Sequence, residues 1–198
     1  ALPARPAPQP PSRDEPMTHH NPMTDAFREA FRRHPAGVAV ITADPGDRPV
    51  AITVSSLISV SAAPPIVAFS LSAKSGSSAP LLQADTMVIH LLRFTDIDLA
   101  QLCASSGADR FSGVVPWERL PTGEPRYTGV TTWFRAKKLG VLPIALASLV
   151  AAELLDGEVT PGDDPPETHS LVYLDRRWHR LHKELEGVIS LFDSSHFV

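Results

Sequence analysis

The stretch that decides the fold covers residues 50–72 and reads VAITVSSLISVSAAPPIVAFSLS. Apolar residues alternate with small polar ones on both sides of Pro64 and Pro65, and such alternation is typical of β-strands that bury one face. Ser56 interrupts the alternation, which predicts a bulge or kink at that position. The predicted apolar face carries Val50, Ile52, Val54, Ile58 and Val60, and after the prolines Val67, Phe69 and Leu71.

Strand patterns continue on both sides of this stretch. Residues 37–43 are rich in β-branched residues and end in the turn sequence Asp44-Pro45-Gly46-Asp47, which predicts a hairpin with the strand that starts at Val50. Many strands, few helices and frequent turns favour an antiparallel barrel over a fold built from βαβ units. The remaining predicted strands cover residues 86–92, 131–138, 145–155, 170–174 and 178–181.

Three short helices are predicted, one before the first strand and two between the strands. Phe27 and Phe31 lie at helical spacing after Thr24, which predicts an amphipathic helix with Thr24 as its N-cap and Pro35 beyond its end. The other two helices are predicted to open at Ser77 or Ser78 and to span residues 95–104, where Thr95 and Asp98 form a capping pair.

Composition excludes several classes of function. The chain has 198 residues, with 18 lysines and arginines against 22 aspartates and glutamates, so its formal net charge is −4. This balance gives no basic surface for nucleic acid and no polybasic patch for a membrane. No apolar run reaches the roughly 18 residues of a membrane-spanning helix. We therefore expect a soluble, cytoplasmic protein with neither a nucleic-acid nor a membrane partner.

Cys103 is the only cysteine, which excludes an internal disulfide and any metal site built from several cysteines. His179 and His182 have no HExxH pattern and no third ligand, so no metal site is expected. Cys103 shares the apolar side of the predicted helix 95–104 with Leu99 and Leu102. A buried, unreactive thiol follows from that position.

Proline usage divides the chain into three parts. Seven of the 20 prolines lie in the first 22 residues, and each fixes φ and removes a backbone donor. Residues 1–23 are therefore predicted to be an extended or disordered arm, with a PxxP ligand for a partner domain as the alternative. Residues 24–182 form the predicted domain. Residues 183–198 are a tail that either docks on a partner subunit or is a loose end.

Two segments point to a ligand. Residues 70–80, SLSAKSGSSAP, leave a strand, pass Lys74 and several serines, and enter a helix, which is an arrangement suited to a phosphate. The alternative is an ordinary serine-rich loop with an N-cap. Thr53 and its neighbours offer small hydroxyl groups on which a flat ring could lie. Together the two segments predict a pocket for a planar ring on a phosphate-bearing tail, in outline a flavin mononucleotide.

The order of the segments resembles the flavin reductase-like family, the FMN-binding split-barrel proteins, over about residues 24–182. The resemblance rests on AGVAVITA, on RPVAITVSSLISVSAAPPIVAFSLS, on AKSGSSAPLL, on MVIHLL, on CASSGADRFSGV and on SLVYLDRRWHRL. It implies a mainly β fold, a six-stranded antiparallel Greek-key split barrel with a few short flanking helices. It also implies a homodimer with flavin near the subunit interface and NAD(P)H-dependent reduction of FMN, or alternatively FAD, for a monooxygenase partner.

The resemblance also implies which residues contact the cofactor, and it assigns no catalytic residue. His90 stands where the family often has asparagine, and a hydrogen-bonded structural histidine is the alternative for it. The implied ring contacts are Thr53, Val54, Ser55 and Ser56, the ribityl contacts Ser70, Leu71 and Ser72, the phosphate contacts Lys74, Ser75 and Ser78, and the remaining contacts His90, Arg110, Phe111 and Trp178.

One departure from the family concerns catalysis. Many reductases of the family have Gly-Asp-His at the start of a late strand, whereas residues 139–145 read LGVLPIA and contain neither an acid nor a histidine. Hydride transfer from nicotinamide to flavin N5 depends mainly on how the two rings are positioned, so the reductase hypothesis stands. The departure favours, as an alternative, a non-catalytic flavin-binding carrier or sensor. A third hypothesis is an interaction module that has lost flavin and binds through its proline arm.

Overall fold

Strands dominate the computed structural model, which describes residues 21–46, 48–159 and 169–181. The mainly β class with a few short helices is confirmed. The predicted arm, apart from its last residues, and the predicted tail lie outside the described residues. The strands are β1 (Ala36–Gly37), β2 (Ala39–Ala43), β3 (Val50–Val54), β4 (Ile58–Ala62), β5 (Pro65–Ser72), β6 (Thr86–Leu91), β7 (Trp117–Arg119), β8 (Pro125–Tyr127), β9 (Trp133–Ile144), β10 (Ala147–Glu158), β11 (Leu171–Leu174) and β12 (Arg177–Arg180).

The largest sheet has seven antiparallel strands in the order β3-β2-β6-β9-β10-β5-β4, where six were predicted. Its two edge strands, β3 and β4, are consecutive in the chain and are joined only by residues 55–57. Because so short a link cannot cross an open sheet, the sheet curls until its edges approach each other. The Ser56 hydroxyl accepts a hydrogen bond from the Ser70 amide at 2.9 Å, which links the end of β3 to β5. The interruption predicted at Ser56 is this break between β3 and β4.

Two smaller sheets complete the described strands, β1-β11-β12 and β7-β8. The β7–β8 hairpin was not predicted, because its strands have only three residues each, too few to reveal a period, and β8 begins at a proline. Arg126 on β8 holds the hairpin through two hydrogen bonds to Glu118 on β7, at 3.0 and 2.7 Å.

The helices are α1 (Pro22–Arg32), α2 (Ser78–Gln83) and α3 (Ile97–Ala104), with a 3₁₀ turn at Phe94–Asp96 before α3. The predicted N-cap at Thr24 is wrong: Asn21 caps α1, its side chain accepting from the Met23 amide at 3.0 Å, and Pro22 fits the first helical position. The predicted Thr95–Asp98 pair is also wrong, because the Asp96 carboxylate caps the Arg93 amide at 2.8 Å. Among the described helices none has the length and hydrophobicity to cross a bilayer.

The core lies on both faces of the large sheet. All five residues of β2 are buried, so Ile41 packs into one apolar cluster with Phe69, and Val40 packs into a second cluster with Leu99 of α3. β5 follows the predicted parity, with Phe69 and Leu71 buried.

β4 does not follow the predicted alternation, in which Ile58 and Val60 lie on the buried apolar face. Ile58 and Val60 are each 58% exposed, because the strand break turns β4 away from the core, and the β4–β5 register shifts between Ser59 and Ser61. These two side chains leave an apolar edge on the sheet.

The β9–β10 hairpin is longer than predicted. Its two strands have twelve residues each, and their paired ends extend beyond the core. Leu142 and Leu149 lie opposite each other in the pairing, and both are exposed. The segment that lacks the Gly-Asp-His motif is therefore an exposed apolar strand end. Other exposed apolar residues at this end of the hairpin are Leu139, Val141, Ile144 and Leu146.

Candidate functional site

The site is a groove of about 840 Å³ that runs beside β3. One wall is formed by residues between Ser70 and Ser77, at the end of β5 and in the loop that follows it. The opposite wall is formed by residues between Cys103 and Arg110, at the end of α3 and beyond. Concave sites of roughly 300–1,000 Å³ are the usual size for small-molecule and cofactor binding.

Nine of the fourteen predicted contact residues line this one groove, although they come from three separate parts of the sequence. The groove therefore brings the hydroxyl-rich end of β3 next to the lysine-containing loop after β5. The nine are Thr53, Val54, Ser55, Ser56, Ser70, Ser72, Lys74, Ser75 and Arg110.

The hydroxyl groups at the end of β3 differ in what they are free to bind. The Thr53 hydroxyl donates to the Ala100 carbonyl of α3 at 2.7 Å, so it anchors α3 to β3. The Ser56 hydroxyl is engaged with the Ser70 backbone. Ser55 is exposed. A flat ring on this surface would therefore meet the Ser55 hydroxyl more readily than that of Thr53.

The loop after β5 is held by its own serines. The Ser72 hydroxyl accepts from the Lys74 amide at 3.3 Å, and the Ser78 hydroxyl donates to the Ser72 carbonyl at 2.7 Å. Ser78 is buried and lies outside the groove lining, so its hydroxyl stabilises the loop and is not available to a phosphate. Lys74 and Ser75 line the groove. With α2 only six residues long, Lys74 is the main source of positive charge there.

Arg110 connects the two walls. Its guanidinium donates to the Ser77 hydroxyl at 3.1 Å, to the Cys103 carbonyl at 3.3 Å and to the Ser105 carbonyl at 2.8 Å. The last two bonds satisfy carbonyls at the C-terminal end of α3, where cations are favourable. Arg110 therefore braces the groove, a role that the sequence alone did not indicate.

His90 does not line the groove. It is fully buried on β6, its Nε2 accepts from the Tyr127 amide at 3.0 Å, and its Nδ1 lies 3.1 Å from the Val40 carbonyl. Because Nε2 accepts, the proton is on Nδ1 and is donated to Val40. Burial lowers the pKa of His90 to about 4, and the positive charge of Arg126 acts in the same direction. These contacts correspond to the structural alternative for His90, not to flavin contact.

Three more predicted residues lie outside the groove lining. Leu71 is buried in the core. Phe111 stacks on Tyr127, with ring centroids 5.5 Å apart, and meets Trp117 edge-on at 4.9 Å, so it packs under the loop and does not close the groove. Trp178 packs on Tyr173 at 4.8 Å and borders a cavity of about 150 Å³ that adjoins the groove through Thr53, Val54 and Ser55.

The buried thiol that the sequence predicts is confirmed. Cys103 is 1% exposed and its Sγ lies 3.6 Å from the Tyr127 hydroxyl. Burial raises the pKa of Cys103 to about 11, so the thiol stays protonated and unreactive at neutral pH.

Several residues of the groove were not predicted. The most informative is Arg48, which lies just before β3, where a single arginine next to a turn gives no sequence signal of binding. Its neighbour Pro49 and Pro80 of α2 also line the groove.

A second groove, of about 830 Å³, opens from the same place. It shares Ser55, Ser56 and Ser70 with the first groove and runs towards α1. Phe27 and Phe31 of α1 line it, with ring centroids 4.4 Å apart. The shared serines therefore lie where the two grooves meet.

The sheet and its grooves define a class of protein: a mainly β protein with a cleft lined by hydroxyl groups and cations, of the size that accepts a nucleotide. The flavin reductase like domain matches residues 31–182. The chain belongs to this family, and the resemblance seen in the sequence is confirmed.

Comparison with individual proteins agrees with this assignment. An NADH:FMN oxidoreductase of Rhodococcus qingshengii is 38% identical over 154 residues, which are 78% of this chain and 80% of the relative. A flavin reductase domain protein from Arthrobacter sp. FB24 has 30% identity and a TM-score of 0.73, with 80% of this chain and 95% of that chain covered. Nitrilotriacetate monooxygenase component B from Mycobacterium thermoresistibile shares the fold at 18% identity, with a TM-score of 0.74 over 88% of this chain and 94% of that chain.

Proposed function

We propose that the protein is an NAD(P)H-dependent flavin reductase that binds FMN or FAD. The observation that carries this proposal is the single groove in which the hydroxyl-rich end of β3 faces the Lys74 loop. Family membership and the identity of 38% to an NADH:FMN oxidoreductase support the same activity.

The residues of the groove fit a flavin. Lys74 is exposed at the groove and, within the described part of the chain, no carboxylate pairs with it, so its charge is available to a phosphate. Ser75 adds a donor beside it. At the other end, Ser55, Val54 and the backbone of β3 offer a narrow surface for the ring. Ser70 and Ser72 lie between these ends and are suited to the ribityl hydroxyls.

A bound flavin supplies a ring whose N5 accepts hydride from the nicotinamide C4. The chain has no acid or histidine among residues 139–145, and its contribution is to hold the ring in place. Arg110 keeps the two walls of the groove at a fixed separation, and Thr53 fixes α3 against β3. The second groove meets the first at Ser55, Ser56 and Ser70, and we infer that the nicotinamide approaches along it.

The finer architecture is part of the proposal. The seven strands correspond to a six-stranded Greek-key split barrel if β3 and β4 are the two arms of one bent strand, and the Ser56–Ser70 contact supports this. The predicted domain, residues 24–182 between an arm (1–23) and a tail (183–198), begins too late, because α1 and its cap start at Asn21. We therefore place the domain at residues 21–182, and we propose that the tail is docked on a partner subunit. The family match over residues 31–182 supports the central part of this division.

We infer the partners from the exposed apolar surface of the protein and from its similarity to known proteins. The exposed apolar ends of β9 and β10 support a homodimer, with flavin near the subunit interface. The shared fold of a monooxygenase component supports delivery of reduced flavin to a monooxygenase. A cytoplasmic location is consistent with one free, buried cysteine.

Absorbance spectroscopy tests the activity. The purified protein is mixed with FMN, freed of unbound flavin, and titrated anaerobically with NADH and, separately, with NADPH. We expect the oxidised flavin band to bleach on mixing with at least one nicotinamide and to return when oxygen is admitted. A protein that retains no flavin would overturn the proposal.

A non-catalytic flavin carrier or sensor is the second candidate, favoured by the absence of the Gly-Asp-His motif. It predicts a bound flavin that neither nicotinamide bleaches. The same titration therefore separates the two functions.

A further inference from the structure

The first helix leaves its apolar side uncovered. No residue of α1 is buried, and the stacked rings of Phe27 and Phe31 are both exposed. They line the second groove, and the exposed side chain of Ile58 on β4 lines it with them. Exposed apolar side chains that cluster in one groove are typical of a surface that another polypeptide segment covers.

The end of α1 is anchored to the small sheet β1-β11-β12. Ala36 and Gly37, which follow α1 closely, form β1 and pair with β11. In the turn between β11 and β12, the Asp175 amide donates to the Arg32 carbonyl at 2.8 Å. The groove between α1 and this turn is therefore set by the fold, while the apolar side of α1 stays open.

The lining of the second groove carries a net positive charge. Three arginines and one aspartate line it: Arg28, Arg32, Arg176 and Asp175. Within α1, Arg28 lies 3.6 Å from Asp25 and Arg32 lies 3.8 Å from Glu29. Such exposed pairs are weak, so both arginines can exchange them for other carboxylates. A segment that suits this groove therefore combines apolar side chains with negative charge.

The tail, residues 183–198, has this combination. It contains seven large apolar residues, and three carboxylates against one lysine. Residues 1–20 have six prolines, no net charge and two large apolar residues, and residues 160–168 are acidic but have no large apolar residue. Of these three stretches outside the described residues, the tail alone matches the groove in both respects. Its apolar residues are Leu185, Val188, Ile189, Leu191, Phe192, Phe197 and Val198, and its carboxylates are Glu184, Glu186 and Asp193.

The tail begins within reach of the groove. Arg176 of the groove lining comes directly before β12, and the described residues end at Leu181. Leu181 is five residues beyond Arg176, so it lies at most about 18 Å from it. A chain of this length, 16 residues, spans up to about 55 Å when extended. The tail is therefore long enough to return from β12 and lie along the groove.

We propose that the tail docks in the second groove, with its apolar side chains on Phe27 and Phe31 and its carboxylates towards the arginines. This groove meets the flavin groove at Ser55, Ser56 and Ser70, so a docked tail covers the path inferred for the nicotinamide. The tail consequently competes with the nicotinamide. That competition rests on the proposed function, whereas the docking does not.

Photo-cross-linking in the full-length protein tests the docking. Because Cys103 is buried, the variant His34→Cys carries one accessible thiol, which lines the second groove and couples to benzophenone maleimide. After irradiation, trypsin releases residues 184–198 as one peptide, since they contain no lysine or arginine. We expect His34→Cys to cross-link to this peptide. Val114→Cys is the matched control and should not, because Val114 is exposed but outside the groove lining.

Two tail variants separate apolar docking from nonspecific contact. In the His34→Cys background, Ile189→Asp/Leu191→Asp removes two apolar side chains and should lower the cross-link yield at least about fivefold. Ser194→Asp/Ser195→Asp adds the same charge, keeps the apolar residues and should keep the yield. In the otherwise wild-type chain, Ile189→Asp/Leu191→Asp should lower the KM for NADH at least about threefold, since the uncovered fraction of the groove rises, and should leave the Kd for FMN unchanged.

The outcomes separate the docking from the function of the groove. The docking is overturned if His34→Cys gives no cross-link to residues 184–198, if Val114→Cys gives an equal one, or if Ile189→Asp/Leu191→Asp leaves the yield unchanged. The reductase proposal stands in each of these cases. A cross-link that is lost without a fall in the KM for NADH overturns the competition with the nicotinamide.

Two further outcomes bear on the proposed function. A protein that gives the cross-link but retains no flavin supports the docking and overturns the reductase proposal. A cross-linked product with the mass of two chains supports docking of the tail on a partner subunit. A product with the mass of one chain supports the same docking site and overturns the partner as its location.

Discussion

Individual side chains in the groove fall into two groups, those already bonded within the protein and those open to a ligand. The hydroxyls of Thr53 and Ser78 and the guanidinium of Arg110 are bonded to the protein itself. Lys74 and Ser55 are exposed. Because breaking an internal hydrogen bond costs stability, substitutions in the first group should affect folding and substitutions in the second should affect binding.

Thr53→Val tests this division. We expect the free energy of unfolding to fall by about 1 kcal/mol, since the bond to the Ala100 carbonyl is lost. The Kd for FMN should change by less than about threefold, because the hydroxyl is committed to α3. Ser55→Ala is the control and should show the reverse pattern, with weaker FMN binding and unchanged stability. Denaturant unfolding and flavin titration measure the two effects. A Thr53→Val variant that keeps its stability and loses FMN would place this hydroxyl on the ring.

At the level of elements, the sequence predicted strands well and their contacts poorly. β5 was predicted with its buried face because Phe69 and Leu71 alternate with polar residues. β7 and β8 were missed, since three-residue strands carry no measurable period. Ile58 and Val60 were placed in the core because parity cannot reveal that the chain turns away after Ser56. Likewise, nothing local in β6 indicates that β8 supplies a backbone partner for His90.

His90 on β6 bonds to the backbone of β2 and of β8, and its titration predicts that the free energy of unfolding depends on pH. Its pKa is lowered by burial to about 4 in the folded protein, whereas an unfolded histidine titrates near 6.5. The unfolded chain therefore binds a proton that the folded protein does not, and stability falls as pH falls from about 6.5 towards 4. Between pH 7.5 and 5.5 we expect a loss of roughly 1 kcal/mol.

Denaturant unfolding at several pH values measures this loss, and His90→Asn is the matched variant. An asparagine keeps a donor and an acceptor but does not titrate, so the variant should lose this part of the pH dependence. An unchanged slope in His90→Asn would show that another group is responsible.

At the level of the whole molecule, the order of the sequence segments was enough to predict the fold family. Only part of the groove lining could be predicted. Thr53 and Lys74 are separated by 20 residues of sequence, yet their segments could be brought together because both flank the same predicted strands. Arg48 could not be found in this way, because a single arginine beside a turn carries no local signal and only the folded chain brings it into the groove lining. The residue pattern of a single sequence also does not show what covers the exposed apolar hairpin.

We propose that a second copy of the chain packs on the exposed apolar end of the β9–β10 hairpin. We expect sedimentation analysis to give twice the chain mass of 21.4 kDa. Leu142 and Leu149 lie opposite each other at the exposed end of the β9–β10 hairpin, so the double variant Leu142→Asp/Leu149→Asp should sediment as a monomer. Val114→Asp, in a loop outside the sheets, is the control. A wild-type protein that is monomeric at all concentrations would rule out the dimer.

The central claim is that the phosphate of the flavin lies against Lys74 while its ring lies on the end of β3. Comparing FMN with riboflavin, which has the same ring and no phosphate, tests it most directly in wild type and in Lys74→Ala. We predict that Lys74→Ala raises the Kd for FMN by about 10- to 100-fold, as expected for a lost charge-assisted contact, and leaves the Kd for riboflavin unchanged. If Lys74→Ala affects FMN and riboflavin equally, or affects neither, the phosphate is bound elsewhere and the claim is wrong.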